Sequence, residues 1–168
     1  MTRHLYTLPL LEYTPSPAHL FPLSPFLSRS PTSTDLPALA ALMIASYTGT
    51  IDYDGENLED ALGEIQAYFN GASGEPLLDA SWLCFDGETL ASAILISLWE
   101  GNPLVAYVMT AAAYKGQGWG RAILHKSLID LQTQGYSQVR AVITEGNLPS
   151  ETIFKKIGFQ RINRNPTE

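Results

Sequence analysis

The sequence predicts an α/β protein of the α+β kind, with a mixed, mostly antiparallel central sheet carrying helices on both faces. Three observations carry this expectation. Apolar residues recur at helical spacing in separate windows, strand-like runs cluster around turn signals between them, and those runs are apolar on both faces. With 168 residues the chain suffices for one sizeable core and is short for two. It therefore divides into a proline-rich N-terminal arm, residues 1–24, and a single domain, residues 25–168.

Seven of the eleven prolines precede residue 38, a spacing that no helix survives. The arm is thus extended, and Pro25 to Ser30 form a first short strand. Thr34 or Asp35 then caps a helix whose Leu36, Leu39, Met43 and Tyr47 recur every three or four positions, with Gly49 ending it. After an acidic loop, Asp52 to Glu56, Asn57 opens a second helix with Ala61, Leu62, Ile65 and Tyr68 on one face and Gly71 as its stop. Ser81 to Phe85 and Thr89 to Trp99 flank Asp86 and Gly87, a hairpin signal, and a turn at Glu100 to Asn102 leads into Leu104 to Thr110. Ala93 to Ile96 run without a polar break, so helices are expected on both sides of the sheet. A glycine-rich turn follows, then a helix bearing Ile123, Leu124, Leu128 and Leu131 up to Gly135. A strand from Val139 to Thr144 and a short helix ending at Gly158 come last.

Composition narrows the function classes. Seventeen acidic against ten basic residues give a net charge of -7, which repels phosphate backbones and anionic headgroups, so neither nucleic acid nor membrane is an expected partner. The single cysteine, Cys84, excludes an internal disulfide framework and a cysteine metal cluster, and it fits a reducing compartment. Leu5 to Leu11 is broken by Pro9 and is too short for a secretory or membrane segment, so a cytoplasmic location and no metal are expected. Cys84 reads as a buried strand residue, His125 as a surface residue of the third helix.

Two motifs carry chemistry. Lys115, Gly116, Gln117, Gly118, Trp119, Gly120 and Arg121 lie between a strand and an amphipathic helix. Successive backbone N–H groups at such a turn, with the free amides and positive dipole end of the helix, form a pocket for a diphosphate. Glycine allows the close approach and the positive φ that aim those amides inward. Lys115 and Arg121 add positive charge. The spacing Gly-x-Gly-x-Gly is not the Gly-x-Gly-x-x-Gly of a dinucleotide site, and no Gly-Lys-Ser/Thr ending marks a P-loop. The second motif is Asn147, Ser150, Phe154, Gly158 and Phe159, directly after a strand.

Together these motifs resemble the GNAT N-acetyltransferases, whose acyl-CoA loop reads Arg/Gln-x-x-Gly-x-Gly/Ala and whose following segment reads Asn-x-x-Ala-x-x-Leu-Tyr-x-x-x-Gly-Phe. The resemblance spans roughly Phe26 to Phe159. It implies splayed parallel strands at the acyl-CoA site, with Tyr107 to Thr110 on one side and Val142 to Glu145 on the other. It further implies that the backbone of Val108, Met109 and Thr110 binds the pantetheine arm and that the amides from Gly116 to Arg121 hold the pyrophosphate. Asn147, Ser150 and Phe154 stand where the family contacts the same arm. The implied activity is transfer of an acetyl group from acetyl-CoA to a primary amine of a small molecule or peptide, by direct attack in a ternary complex. The alternative is a non-catalytic acyl-CoA-binding module, for Phe154 occupies the position where many members carry a tyrosine as general acid, and phenylalanine has no proton to give.

Attack requires a neutral amine. A lysine-like amine of pKa ~10.4 is neutral at pH 7 roughly once in two to three thousand molecules, a deficit of about 4 to 5 kcal/mol that a base relieves. Glu145, at the strand end, is the first candidate base, with Asp54 and Glu56 behind it. Tyr107, Tyr114 and Tyr136 are candidate substitutes for the missing acid. The acceptor is expected over the two early helices, where Asp52, Asp54 and Glu56 attract a cationic amine. Family members commonly add two strands after the Gly-Phe motif, the last one inserted beside the strand that follows the acyl-CoA helix, whereas Phe159 to Glu168 leave room for one. The segment His4 to Tyr13 is expected to fill the open edge, on its own domain or on that of a second copy, which would make a homodimer.

Overall fold

The structure, a computed structural model, describes residues 1–15 and 27–163. From its N-terminus the chain forms β1 (Arg3–Pro9), β2 (Leu27–Arg29), α1 (Leu36–Tyr47), α2 (Leu58–Phe69), β3 (Glu75–Pro76), β4 (Trp82–Asp86) and β5 (Thr89–Trp99). Then come β6 (Asn102–Thr110), α3 (Trp119–Thr133), β7 (Gln138–Thr144), α4 (Leu148–Ile157) and β8 (Gln160–Arg161). Of the short strand expected from Pro25 to Ser30, Pro25 and Phe26 lie outside the described residues, β2 covers Leu27–Arg29, and Ser30 falls just past its end.

The strands join one sheet in the order β2-β4-β5-β6-β7-β1-β8, with β3 beside β5. Every pairing is antiparallel except β6 with β7. Because β5 is apolar on both faces, two separate cores build on it. Leu39, Met43, Ala61, Ile65 and Tyr68 of α1 and α2 pack on Leu83, Ala93, Leu95 and Met109. On the other face Ile123, Leu124 and Leu128 of α3 and Phe154 of α4 pack on Ile94, Ile96, Ala141 and Ile143.

The arm completes the sheet within its own chain. Arg3 to Pro9 pair with Gln138 to Thr144 along the whole of β7, and Tyr6 and Thr7 pair with β8 on the other side. The N-terminal strand thereby takes the place between β7 and β8 that the family pattern assigns to a C-terminal strand. Tyr6 and Leu8 point into the α3 and α4 core, while Pro9 sits at the strand's last position.

Local chemistry explains where sequence and structure part. Asn57 caps α2 as expected, its side chain accepting the amides of Glu59 and Asp60 at 2.8 and 3.1 Å. Asp35 does not cap α1 with its side chain. One 3₁₀ turn, Ser33–Asp35, precedes the helix, and the Asp35 carboxylate accepts from Thr32 N–H at 2.8 Å and from both Arg29 amino groups at 2.8 and 2.6 Å. The hairpin turn falls one residue later than its Asp-Gly signal, because Asp86 pairs with Thr89 and leaves Gly87 and Glu88 in the turn, with Gly87 at φ 59. Strand β3 has no signal, being only two residues long. His125, expected at the surface, is 1% exposed, because the arm continues past β1 and seats Tyr13 against its ring.

Candidate active site

Strand geometry opens the site. β6 and β7 pair only at Leu104 with Arg140 and Val105 with Ala141, and beyond that point they diverge. Where they part, β6 carries a bulge: Leu95 pairs with Tyr107 and Ile96 with Val105, leaving Ala106 extra. An extra residue shifts the side-chain alternation by one. Val105 consequently faces the α3 core, whereas Ala106 and Tyr107 both face α1 and α2. Ala111 N–H donates to Ala91 O, so alternation along the ladder turns the backbone groups of Thr110 and Val108 away from β5, toward the gap. The Thr110 amide is met there by Ser46 Oγ of α1 at 3.1 Å. Met109 points into the α1 and α2 core and is fully buried.

The glycine-rich turn delivers the N-terminus of α3 to the same gap. Gly116 and Gly118 have φ of 76° and 89°, which only glycine adopts without strain, and no side chain caps the helix at Gly118. Gly120 has a different reason to lack a side chain: a Cβ there would stand 3.3 Å from Thr110 Oγ1 and 3.7 Å from Val108 Cγ1. The helix thus lies close on β6. Arg121 Nε is buried with no hydrogen-bond partner among the described residues. Uncapped amides and a positive dipole end fit a diphosphate. Two residues of the motif point elsewhere. The Trp119 side chain is 3% exposed and belongs to the α3 core, and Lys115 Nζ donates to Ser46 O at the end of α1. Only their backbone is on offer to a ligand. The Gln117 side chain folds back to Ala113 O at 3.0 Å.

Through the gap runs a cleft of about 320 Å³ that reaches from Val108, Ser150 and Phe154 to the inner faces of α1 and α2. Phe154 is 7% exposed, edge-on to Phe159 with ring centroids 4.9 Å apart. Asn147 caps α4 through Ser150 N–H at 3.2 Å, and its amide nitrogen donates to Asp52 Oδ2 at 2.6 Å. Asp52 and Glu56 therefore line the cleft with Asn147, Ser150 and Phe154, while Asp54, whose N–H donates to Glu56 Oε2 at 2.8 Å, does not. Glu145 is outside as well. Thr144 faces the cleft, so alternation along the chain turns Glu145 to the opposite side, where its carboxylate, 63% exposed, meets His4 Nε2 at 3.0 Å.

Sequence reasoning passed over the side chains that dominate the far wall. Asp60 and Glu64 line the cleft from α2, and with Glu56 they recur every four residues, the spacing of one helical face. That periodicity was the available signal. Arg3 comes from the arm and had none. Tyr107 OH donates to Glu64 Oε2 at 3.2 Å. Burial, then the charge of Glu64, pushes the Tyr107 phenol well above its ordinary range; burial does the same to Tyr47, with Tyr107, Asp52 and Glu64 adding to it and Arg3 opposing. Both stay protonated. Among the described residues no helix is long and apolar enough to cross a membrane.

The family model described as an acetyltransferase (GNAT) domain matches residues 26–160. A GCN5-related N-acetyltransferase from Sphaerobacter thermophilus superposes with a TM-score of 0.71 at 13% identity, over 95% of this chain and 48% of that one. The present chain thus spans about half the length of that protein. The ribosomal-protein-S18-alanine N-acetyltransferase from Escherichia coli gives 0.64 at 16% identity, over 82% and 79% of the two chains. An acetyltransferase from Thermus thermophilus gives 0.61 at 19%, over 84% and 90%. A comparison with curated protein sequences finds no match.

Proposed function

The chain belongs to the GNAT acetyltransferase family, and from that premise we propose that it transfers an acetyl group from acetyl-CoA to a primary amine by direct attack in a ternary complex. The observation that carries this reading is the continuity of one cleft. It joins the gap between β6 and β7 to an acidic chamber under α1 and α2, and the uncapped α3 N-terminus lies close on Val108 and Thr110 of the same strand. In this reading the amides from Gly116 to Arg121 hold the pyrophosphate and the free edge of β6 at Val108 holds the pantetheine arm, with Asn147 and Ser150 on the facing side. The acyl thioester supplies an electrophilic carbonyl. The chain's own residues bind it, fix its direction and bring the amine to it.

Asp52 and Glu56, joined by Asp60 and Glu64, favour a cationic acceptor, a small molecule or a peptide amine. They also stabilise the ammonium form, so capture and deprotonation pull in opposite directions and a proton acceptor inside the cleft is required. Following free thiol while purified protein, acetyl-CoA and a broad amine panel are mixed tests the reading, with products identified by mass spectrometry. Acceptor-dependent thiol release is expected. Its absence across the panel, despite acetyl-CoA binding by calorimetry, would favour the second reading, an acyl-CoA-binding module without turnover. The observation behind that alternative is Phe154, which lines the cleft with no proton to give.

A further inference from the structure

The alternation along β6 and the register of α2 bring two polar side chains together inside the cleft. Tyr107 pairs with Leu95 and lies in phase with Met109 on the α1 and α2 face, so its phenol turns under α2 and donates to Glu64 Oε2 at 3.2 Å. One helical turn further on, Tyr68 OH donates to Ile96 O at 2.7 Å and fixes α2 over the sheet. Ile96 follows Leu95, the partner of Tyr107, so the helix that holds Glu64 is tied to β5 one residue from the strand pair that holds the phenol.

Resting on the acetyl-transfer reading, we propose that Tyr107 and Glu64 form a two-step proton relay for the acceptor amine. Tyr107 is the catalytic residue that touches the amine, and Glu64 is the positioning residue that receives the proton through it. As the amine nitrogen bonds to the thioester carbonyl carbon, its N–H proton passes to the Tyr107 oxygen while Tyr107's own proton passes to Glu64 Oε2. The carbon–sulfur bond breaks and the thiolate leaves with its electron pair. Glu64, exposed at the cleft wall, then releases the proton to water.

Electrostatics decides between a relay and a tyrosinate base. Burial and the Glu64 charge keep the Tyr107 phenol protonated, so it accepts a proton only by giving one up at the same time. The other charged or titratable groups facing the pair are Tyr47 from α1, Asp52, Tyr53 and Glu56 from the loop, Asp60 from α2, and Arg3 from β1. Arg3 is the cation among them and opposes the carboxylates' effect on both Tyr47 and Tyr107. Glu64 is where the path reaches solvent.

The test compares wild type, Tyr107→Phe, Glu64→Gln, the double variant and Glu145→Gln, using acetyl-CoA and the best amine from a panel of phenethylamine, spermidine, glucosamine and short peptides. Each relay variant is expected to lose about 10²-fold or more in kcat, with KM for acetyl-CoA within about twofold of wild type. The double variant should be no worse than either single one, as for residues that act as a unit. Circular dichroism and acetyl-CoA binding confirm that each variant is folded. Wild-type turnover with unimpaired relay variants, additive losses, or a larger loss in Glu145→Gln would overturn the relay alone. No wild-type turnover with any amine would overturn the transfer reading and the relay with it.

Discussion

Asn147 Nδ2 donates to Asp52 Oδ2 at 2.6 Å, while Asn147 Oδ1 accepts the Ser150 amide at 3.2 Å. One side chain therefore caps the helix beside the gap between β6 and β7 and also grips the acidic loop between α1 and α2. The two halves of the proposed site share a fastening.

Removing that fastening should be felt on the cofactor side. Asp52→Ala frees the Asn147 amide, a hydrogen bond to a charged partner worth about 1.5 to 3 kcal/mol. Part of that is recovered by water at this half-buried position, so acetyl-CoA should bind roughly fivefold to thirtyfold more weakly. Calorimetric titration measures it. Unchanged affinity would mean that the Ser150 contact alone holds Asn147.

The glycine turn makes a separate demand on the backbone. Gly118 sits at φ 89° as the residue before α3, where a β-branched side chain is a steric outlier costing roughly 1 to 3 kcal/mol. Gly118→Val should lower Tm by about 2 to 12 °C, at roughly 2 to 4 °C per kcal/mol for a chain of this size, and should weaken acetyl-CoA binding more than Tm alone explains. Equal Tm and affinity in the variant would remove Gly118 from the turn's requirements.

Much of the fold and half of the site were legible in the residues. Period-three-to-four apolar spacing placed α1, α2 and α3, and the continuous apolar run in β5 foretold helices on both faces, because such signals are local and repeated. Gly118 and Asn147 were legible since each performs a backbone task that few residues can. Side-chain direction was not. Whether Glu145 enters the cleft depends on strand alternation in β7, and Ala106 shares a face with Tyr107 only because of a bulge that no sequence feature marks. His125 was misjudged for a related reason: a helix face looks polar until a distant segment, here Tyr13, covers it.

That buried contact gives the fold a pH dependence with a definite sign. Burial holds the His125 imidazole down to about 4, below its ordinary 6.5. Between those values the unfolded chain binds a proton that the folded one refuses, so stability is full above about pH 6.5 and declines as pH falls toward 4, by at most about 3 kcal/mol. Melting scans at pH 7, 6 and 5 should show wild-type Tm falling, with His125→Met nearly flat over the same window. Parallel declines in both proteins would assign the effect to other groups.

The arm offers the strongest test of how the fold is held together. Tyr6 and Leu8 are 3% and 5% exposed, Leu10 is fully buried, and Gln132 Nε2 donates to Leu10 O and Tyr13 O at 2.6 and 3.0 Å. Leu8 also lies against Gly158, where a Cβ would come 3.3 Å from Leu8 Cδ1, so the arm rests on the Gly-Phe end of α4. β8 pairs with no strand but β1 among the described residues. Without the arm, β7 would present unpaired N–H and C=O groups next to the gap between β6 and β7, and β8 would lose its anchor. Leu8→Ala should therefore cost about 2 to 5 kcal/mol through the cavity it leaves, whereas Leu11→Ala, at a residue 78% exposed, should stay within about 0.5 kcal/mol of wild type. Deleting residues 2–13 should yield an aggregating protein by light scattering. Equal melting of the two point variants, or a soluble truncation with wild-type Tm, would show that the domain stands without its first strand.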